Sequence, residues 1–329
     1  MHTTLNPRRG PHEPATTTPP RRPGSVRRTT THDSLRPDGL TGRLLVVARG
    51  RDLRTEVDGS TSVVDAVRLD IEVDYLSGRT ITSITADPDF DGIDRLIGVR
   101  AASGFRGRLG EVLPGEREAG TLRHQLLDDL PTAVLVSGNS LHAELDMPRD
   151  PERMRTGVDQ CAGWARGASI MVGWSDEGAT PRVTGPLAPP LVLDGDPSAW
   201  HELLVLGPHD MRRARRMDVW AEDDGVHVDA FFRDSHVLAD GDDTVLHEYG
   251  VAAVIDPTSR TFTSCAATVG VLPWQECPMA LASAGRLVGA PVDGLRAWVR
   301  TSFTGTSTCT HLNDTLRALE DVPSLLDSL

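Results

Sequence analysis

Apolar and polar residues alternate along several stretches of the chain, which is the pattern of β-strands with one buried face. Between Val64 and Val73 the apolar positions are every second residue, ending Leu69, Ile71 and Val73. Strand-like stretches of the same kind lie at 44–47, 80–84, 228–232 and 245–255. Helical spacing follows the strands around 93–97 and over 122–134. The chain is therefore predicted to be an α+β protein.

The order of these patterns occurs twice. The segment Arg79–Ser83 corresponds in sequence to Arg260–Ser264, and Leu96–Gly98 corresponds to Leu287–Gly289. Repetition of this kind is typical of an internal duplication. We therefore expect two tandem copies of one domain, each an antiparallel sheet followed by helices, with the first copy degenerate.

Composition along the chain predicts where these copies begin and end. Residues 1–30 are rich in Pro, Thr and Arg and contain little to bury, so we expect a disordered tail. The first copy is predicted over 31–140 and the second over 206–329. The stretch 141–205 is expected to be a connector with one helix and a Pro-rich linker.

Overall composition excludes several classes of protein. A net charge of −13 argues against binding to nucleic acid, and no apolar run approaches the roughly 20 residues of a membrane span. All 34 basic residues are arginine, so no lysine is present to act as a nucleophile or a phosphate ligand. Without an apolar leader, we expect a cytoplasmic protein whose partner is a small molecule. A homo-oligomer is compatible with this composition.

Residues that bind metals are concentrated in the second copy. His247 begins a strand, Cys277 and Cys309 each precede a helix, and His311 follows two residues later. Thiolates and neutral imidazoles form a tetrahedral set suited to zinc, and less specifically to iron. A helix N-terminus would lower the pKa of both thiols. The first copy has Asp65 opposite His247 and no cysteine, so the predicted metal site belongs to the second copy alone.

Charged residues beside this site are candidates for catalysis. Glu248, Glu276 and His311 are predicted acid–base residues, because a metal that polarises a carbonyl or activates water needs a proton carrier. The arginine cluster at 212–216 has two interpretations, a salt-bridged face or an anion clamp in which Arg213 and Arg216 contact the substrate. These residues together predict a metal-dependent hydrolase or lyase acting on a small acidic or acyl substrate.

The same residues allow two other functions. In a metal-free hydrolase, Cys277 or Cys309 would be the nucleophile and His247 or His311 the base. A protein that carries a metal or an iron–sulfur cluster without catalysis is the other alternative. Cys161 is not included in any of these sites, because no paired ligand pattern accompanies it.

Four segments of the second copy resemble a known family. They are His247–Tyr249, Glu276–Pro278, Leu287–Gly289 and Cys309–Leu312. Together they are similar to the bacterial family catalogued as Domain of Unknown Function 2889, and the first copy follows the same pattern weakly. The resemblance implies no activity by itself, although a loose association with acyl-coenzyme A and aromatic catabolism suggests an acyl substrate.

A more distant resemblance is to iron–sulfur cluster scaffolds of the NifU/SufU type. In those proteins strands lead to a Cys before a helix of small residues, then Gly, then a final Cys; here Cys277, Gly289 and Cys309 match. The resemblance implies a scaffold-like fold with both cysteines as ligands and His247 near the family's first ligand. The scaffold's first Cys is missing and Pro278 replaces a Gly, which favours a fixed mononuclear metal over a transferable cluster.

Overall fold

The fold was determined from a computed structural model, which describes residues 9–145, 156–176, 183–192 and 195–329. The first eight residues of the predicted tail, and parts of the predicted connector, lie outside these ranges. Within them, no helix combines the length and apolar character needed to cross a membrane.

One antiparallel sheet of eight strands organises the protein. Its strands are β1 (Ser25–Leu35), β2 (Leu44–Thr55), β3 (Thr61–Asp74), β4 (Thr80–Asp87), β5 (Met211–Glu222), β6 (Gly225–Val237), β7 (Asp243–Asp256) and β8 (Thr261–Val271). Their order across the sheet is β4-β3-β2-β1-β5-β6-β7-β8. The sheet therefore consists of two four-stranded meanders joined by pairing between β1 and β5. The α+β class is confirmed.

Helices follow each meander in the chain. After β4 come a 3₁₀ turn (Ile93–Leu96), α1 (Phe105–Val112), α2 (Leu122–Val136) and α3 (Gly138–Glu144). The connector contains a 3₁₀ turn (Ala162–Trp164) and α4 (Ser169–Asp176). After β8 come a 3₁₀ segment (Cys277–Leu287), α5 (Leu295–Ser302), α6 (Thr310–Ala318) and α7 (Val322–Leu326), with 3₁₀ turns at Gly305–Ser307 and Leu319–Asp321.

The apolar positions that predicted the strands are the ones that hold these helices to the sheet. Leu69, Ile71 and Val73 of β3 are fully buried, and they pack with Leu126 and Leu130 of α2 in the core of the first half. A separate core holds the helices of the second half against β6–β8. Burial of one strand face is the physical reason for the alternation.

Both halves have an arginine opposite an aspartate near the centre of the sheet. Arg28 of β1 lies opposite Asp52 of β2, and Arg213 of β5 lies opposite Asp234 of β6. Thr30 of β1 lies opposite Arg215 of β5, so each arginine comes two residues before a member of one cross-strand pair.

The outer strands show the same equivalence. The β2–β3 register shifts next to Asp52, which lies opposite Asp65. The β6–β7 register shifts next to Asp234, which lies opposite His247. Each register shift comes from an extra residue in one strand. Such a bulge bends the strand and changes the direction of the side chains beside it. Asp65 and His247 thus occupy equivalent positions, as the sequence pattern predicted.

Two turns also have the same conformation. Gly98 and Gly289 both have a φ of +82°, a left-handed conformation that favours glycine. Each donates its N–H to the strand that precedes it, at 2.8 Å from Ile81 O and from Phe262 O respectively. The two segments therefore fold back onto β4 and β8 in the same way.

The prediction of a disordered N-terminal tail is wrong for residues 9–30. Residues 25–30 form the first part of β1, which is buried at the centre of the sheet. Residues 9–24, here called the N-terminal strap, cross the second half, where Glu13 N lies 3.0 Å from Gly270 O. The composition predicted disorder because these residues include few apolar side chains. The strap and β1 are instead held by hydrogen bonds and ion pairs, such as that of Arg27 with Asp218 at 2.5 Å.

The connector combines short helical segments with irregular chain. Its described residues include a 3₁₀ turn and α4, and residues 196–201 are irregular. There Trp200 is 1% exposed, and His201 lies 2.9 Å from the hydroxyl of Thr29 and 3.0 Å from that of Thr31. The connector thus covers the face of β1 and β5 opposite the helices.

His201 should make the protein sensitive to acid. Burial, together with Arg51 and Arg212, lowers the pKa of His201 to about 3. The unfolded chain takes up this proton near pH 6.5, so the stabilisation is complete above that pH and declines as pH falls towards 3. The loss should reach roughly 4 kcal/mol. His201→Gln should flatten the pH dependence of urea unfolding over this window.

The control for this experiment is His227→Gln, which removes a partly exposed histidine from the β5–β6 hairpin. Equal slopes for wild type and His201→Gln between pH 6.5 and 3 would contradict the assignment.

Candidate metal centre

Two histidines and one aspartate converge on the helix-covered face of β6 and β7. His247 Nδ1 lies 3.4 Å from Asp234 Oδ2, and His311 Nε2 lies 3.8 Å from the same oxygen. The imidazoles stack with their centroids 3.8 Å apart and their planes 20° apart. Within the described ranges, these three side chains form one of two groups whose ligand atoms lie within 4.8 Å of one another. The other group lies on the exposed β5–β6 hairpin.

Local folding explains this convergence. Directly paired residues of neighbouring strands share a face, so Asp234 and His247 project together. Cys309 is the N-cap of α6, which places His311 in the first turn of that helix, above the strands. His247 and His311 were predicted as ligands; Asp234 was not. Its sequence context, within Phe-Arg-Asp-Ser, offers no ligand spacing.

The protonation states of these groups favour binding of a cation. Burial would raise the pKa of Asp234, but the Arg213 guanidinium and the two histidines hold it well below its usual range. Arg213 donates to both carboxylate oxygens, at 2.9 and 3.0 Å. Burial and the neighbouring His247 lower the pKa of His311 to about 3. At neutral pH the carboxylate is therefore ionised and His311 is neutral, the states that a metal requires.

The predicted thiol ligands do not belong to this group. Cys309 Sγ lies 3.8 Å from His311 Nδ1, on the side of the ring away from Asp234. Burial raises the pKa of both Cys309 and Cys277, so the expected lowering by a helix end is wrong. Desolvation of a thiolate outweighs the partial charge of one helix terminus.

Cys161, which was left out of the predicted site, lies beside these thiols. Cys161 and Cys309 interact electrostatically, and burial raises the pKa of Cys161 to about 11. Its neighbour Ala162 donates its N–H to Thr308 O at 2.9 Å, and a Cβ on Gly163 would lie 2.6 Å from the sulfur of Cys277. The connector thus closes over the thiols. No sequence signal could reveal this, because the contact joins distant segments.

These thiols should react slowly in the folded protein. A pKa of about 11 for Cys161 reduces its thiolate fraction roughly 100-fold at neutral pH, and Cys277 and Cys309 are shielded as well. Alkylation with iodoacetamide at pH 7, followed by mass spectrometry, should be at least about 100-fold slower than in urea. Rapid labelling of Cys309 in folded protein would instead indicate an activated nucleophile.

Two predicted acid–base residues have other partners. Glu248 is next to His247 in β7, so its side chain points to the opposite face of the sheet. There it accepts hydrogen bonds from Arg233 Nε and from Ala15 N, both at 2.6 Å, and it holds the N-terminal strap. The prediction of Glu248 as a catalytic residue at this centre is therefore wrong.

Glu276 accepts hydrogen bonds from Ser169, the first residue of α4. Its carboxylate accepts from the backbone N–H of Ser169 at 3.1 Å and from the Ser169 hydroxyl at 2.8 Å. This contact ties the connector to the segment that contains Cys277. A catalytic role for Glu276 stays a prediction.

The arginine cluster of β5 is a salt-bridged face rather than an anion clamp. Arg213 is 3% exposed and pairs with Asp234 and, at 3.4 Å, with Asp314. Arg216 is equally buried on the other face, where it pairs with Asp218 and with Asp229 at 2.8 Å. Predicted substrate contacts at Arg213 and Arg216 are thus wrong, because carboxylates of the chain already occupy both guanidinium groups.

The first half has an equivalent arginine–aspartate pair but different side chains at the positions of the two histidines. Arg28 donates to both oxygens of Asp52 at 2.8 and 2.7 Å, in the way that Arg213 holds Asp234. Thr121 caps α2 and Arg123 is two residues on, which is the position of His311 relative to Cys309. Arg123, rather than the neighbouring His124, therefore has the position in α2 that His311 has in α6.

The fold and the centre define an α+β protein with a candidate metal site in one half of a symmetrical sheet. Residues 211–324, which include β5–β8 and the helices after them, match the family model described as Protein of unknown function (DUF2889). No curated protein and no solved structure matches the chain.

Proposed function

We propose that the protein is a metal-dependent enzyme whose single zinc or iron ion is bound by Asp234, His247 and His311. The observation that supports this most directly is the convergence of one ionised carboxylate and two imidazoles within 4.8 Å. A set of two histidines and one carboxylate leaves coordination positions free for water or substrate, as in catalytic zinc and non-haem iron sites. Since a bound ion lies near the plane of each imidazole, one ring would turn out of the present stack.

The proposed chemistry is hydrolysis or elimination on a small molecule with an acyl group. An ion at this position would polarise a carbonyl or lower the pKa of a bound water. Around it, Arg213 keeps Asp234 ionised and oriented, and buried Cys309 lies beside His311 on the side away from Asp234, with Tyr249 next to Cys309. The acyl substrate class rests on the family resemblance, whereas the ligand set rests on the geometry.

We infer further that the two halves derive from a duplication after which only the second kept its ligands. The pairs Arg28–Asp52 and Arg213–Asp234, each beside a register shift, support this inference. In the first half, the equivalents of His247 and His311 are Asp65 and Arg123, of which Arg123 forms an ion pair with Glu116 at 2.9 Å.

A metal-free hydrolase is the second candidate, and one observation favours it. Cys309 Sγ, His311 and Asp234 follow one another in the order nucleophile, base and orienting carboxylate, each separated by 3.8 Å. The raised thiol pKa weighs against this candidate, because the thiolate is the nucleophile. A metal carrier is supported less, because the ligands are largely buried and release would be slow.

Metal analysis of protein purified without a metal-affinity tag would test the proposal. We expect one equivalent of zinc or iron in wild type, loss of the metal in His247→Ala, and retention in Asp65→Ala, the matched variant of the first half. Metal that passes readily to an apo acceptor would favour a carrier. A metal-free wild type that cannot be loaded with zinc or iron would refute the proposal and leave the hydrolase.

A further inference from the structure

A row of polar side chains continues from the metal centre into the first half of the protein. His247, Asp234, Arg213 and His32 lie directly opposite one another on β7, β6, β5 and β1. All four therefore share the face that is covered by helices. The row places His32, from the N-terminal end of the chain, two strands from Asp234.

The equivalent row of the first half contains no histidine. It runs Asp65, Asp52, Arg28 and Met217 on β3, β2, β1 and β5. The arginine–aspartate pair is common to both rows, so it belongs to the frame of the sheet. The histidines at both ends occur only in the row of the metal centre, which links His32 with that centre rather than with the frame.

His32 has an unused hydrogen-bond acceptor. Its side chain is buried, at 1% exposure, and its Nε2 lies 2.8 Å from Leu126 O in α2. Because a carbonyl only accepts, Nε2 carries the hydrogen and donates it. Burial lowers the pKa of His32, so the ring is neutral and Nδ1 presents a lone pair. Among the described residues Nδ1 has no hydrogen-bond partner, which is unfavourable for a buried polar atom.

A small recess lies between His32 and the metal centre. Its lining includes His32 and Ser34 of β1, the end of α2, and Arg213 and Asp234 of the second half. The cavity volume of the recess is about 10 Å³, which is room for one water molecule or one hydroxyl group. A polar recess of this kind typically holds water that satisfies buried polar atoms.

The charges around the recess define what it can bind. Arg213 is occupied by Asp234, and the other guanidinium of the lining, that of Arg212, pairs with Asp33 and with Leu204 O. Neither is free to hold an anion. Asp234 already accepts from Arg213 with both oxygens, so the acceptor of the lining that needs a donor is His32 Nδ1. A neutral hydroxyl group therefore fits and a carboxylate does not.

We propose that the recess is a hydroxyl-binding subsite of the metal centre, in which His32 Nδ1 accepts a hydrogen bond from water or from the hydroxyl group of a substrate. The link to catalysis rests on the proposed function; the hydroxyl site itself does not. His32 is then a positioning residue that orients an O–H group towards Asp234. The substrate class becomes a small molecule with a free hydroxyl group, rather than an acid bound through arginine.

Nitrogen-15 NMR of the full-length protein with labelled histidine tests the subsite. The probes are water and Zn²⁺, and the His32 signals are assigned by through-bond correlation, with His32→Gln as confirmation. We expect the Nδ1 resonance of His32 to be shifted upfield from that of a free lone pair and to show cross-relaxation with water. The shift should persist in Ser34→Ala, which removes the neighbouring hydroxyl of the same strand.

Each other outcome is decisive. An Nδ1 resonance at the position of a free lone pair overturns the proposal, and so does loss of the shift in Ser34→Ala, since the donor is then Ser34. A large coordination shift of His32 on adding Zn²⁺ would make it a ligand instead. Failure of the proposed function has a separate signature, the absence of Zn²⁺-dependent shifts at His247 and His311.

Discussion

Replacing Arg296 with methionine should lower the free energy of unfolding by about 3–5 kcal/mol, because buried Asp321 loses its bidentate partner and keeps only Arg28, at 3.1 Å. Arg296 is 4% exposed and donates to both oxygens of Asp321, at 2.7 and 2.8 Å. It also donates to Gln125 Oε1 in α2 at 3.0 Å. The measurement is urea unfolding at neutral pH.

Arg300→Met is the matched control, since Arg300 is an exposed residue one turn further along α5. It should change the free energy of unfolding by less than about 0.5 kcal/mol. The double replacement Arg296→Met with Asp321→Leu should recover part of the loss, because it removes the buried carboxylate that has lost its bidentate partner, while Arg28 keeps Asp52. A loss below about 1 kcal/mol for Arg296→Met would mean that the carboxylates find water or other partners.

The second large effect should be seen by comparing Asp234→Asn with Asp52→Asn. Each replacement removes the carboxylate partner of a buried arginine on the neighbouring strand, so each should lower stability by about 3 kcal/mol without metal. With Zn²⁺ at 100 times its Kd, wild type and Asp52→Asn should gain about 2.7 kcal/mol. Asp234→Asn should gain almost nothing, because it lacks a ligand.

Urea unfolding with and without Zn²⁺ measures, in the same samples, the loss of stability caused by each replacement and the gain of stability on adding Zn²⁺. Equal stabilisation of Asp234→Asn and Asp52→Asn by Zn²⁺ would place the metal elsewhere. The comparison separates the structural role of the arginine–aspartate pair, which both halves share, from ligation, which we assign to the second half alone.

These pairs belong to a larger ionic network between the helices of the two halves. Arg317 of α6 donates to both oxygens of Asp128 in α2, at 2.8 and 2.6 Å, and Arg106 of α1 pairs with Asp314 of α6 at 3.3 Å. Guanidinium groups suit such contacts because they bind carboxylates in a bidentate way and remain charged when buried. We therefore expect the halves to unfold together.

Local patterns predicted much of the sheet correctly. Alternation located β3, and the repeated order of strands and glycines indicated two halves with the same layout, as the φ of +82° at Gly98 and Gly289 shows. His247 and His311 were selected as ligands because they are imidazoles at the ends of predicted elements, and His247 has no counterpart in the first half. In each case the information lies within a few residues of the chain, where period and turn chemistry act.

The remaining features depend on contacts between distant segments. β1 was mistaken for a tail because its arginines are buried only through partners such as Asp218 and Asp52, which are far away or on another strand. Asp234 joins the metal centre through strand pairing, and Glu248 leaves it because neighbouring strand residues face opposite sides.

The sequence by itself determined the α+β class, the alternating strands and the two imidazoles of the centre. Only the tertiary structure decided that Asp234 completes the set, that the thiols are desolvated, and that His32 reaches the centre from the first half. The physical reason is that periodicity reports the burial of one face of one element. The partners of a buried charge or lone pair are set by which elements pack together.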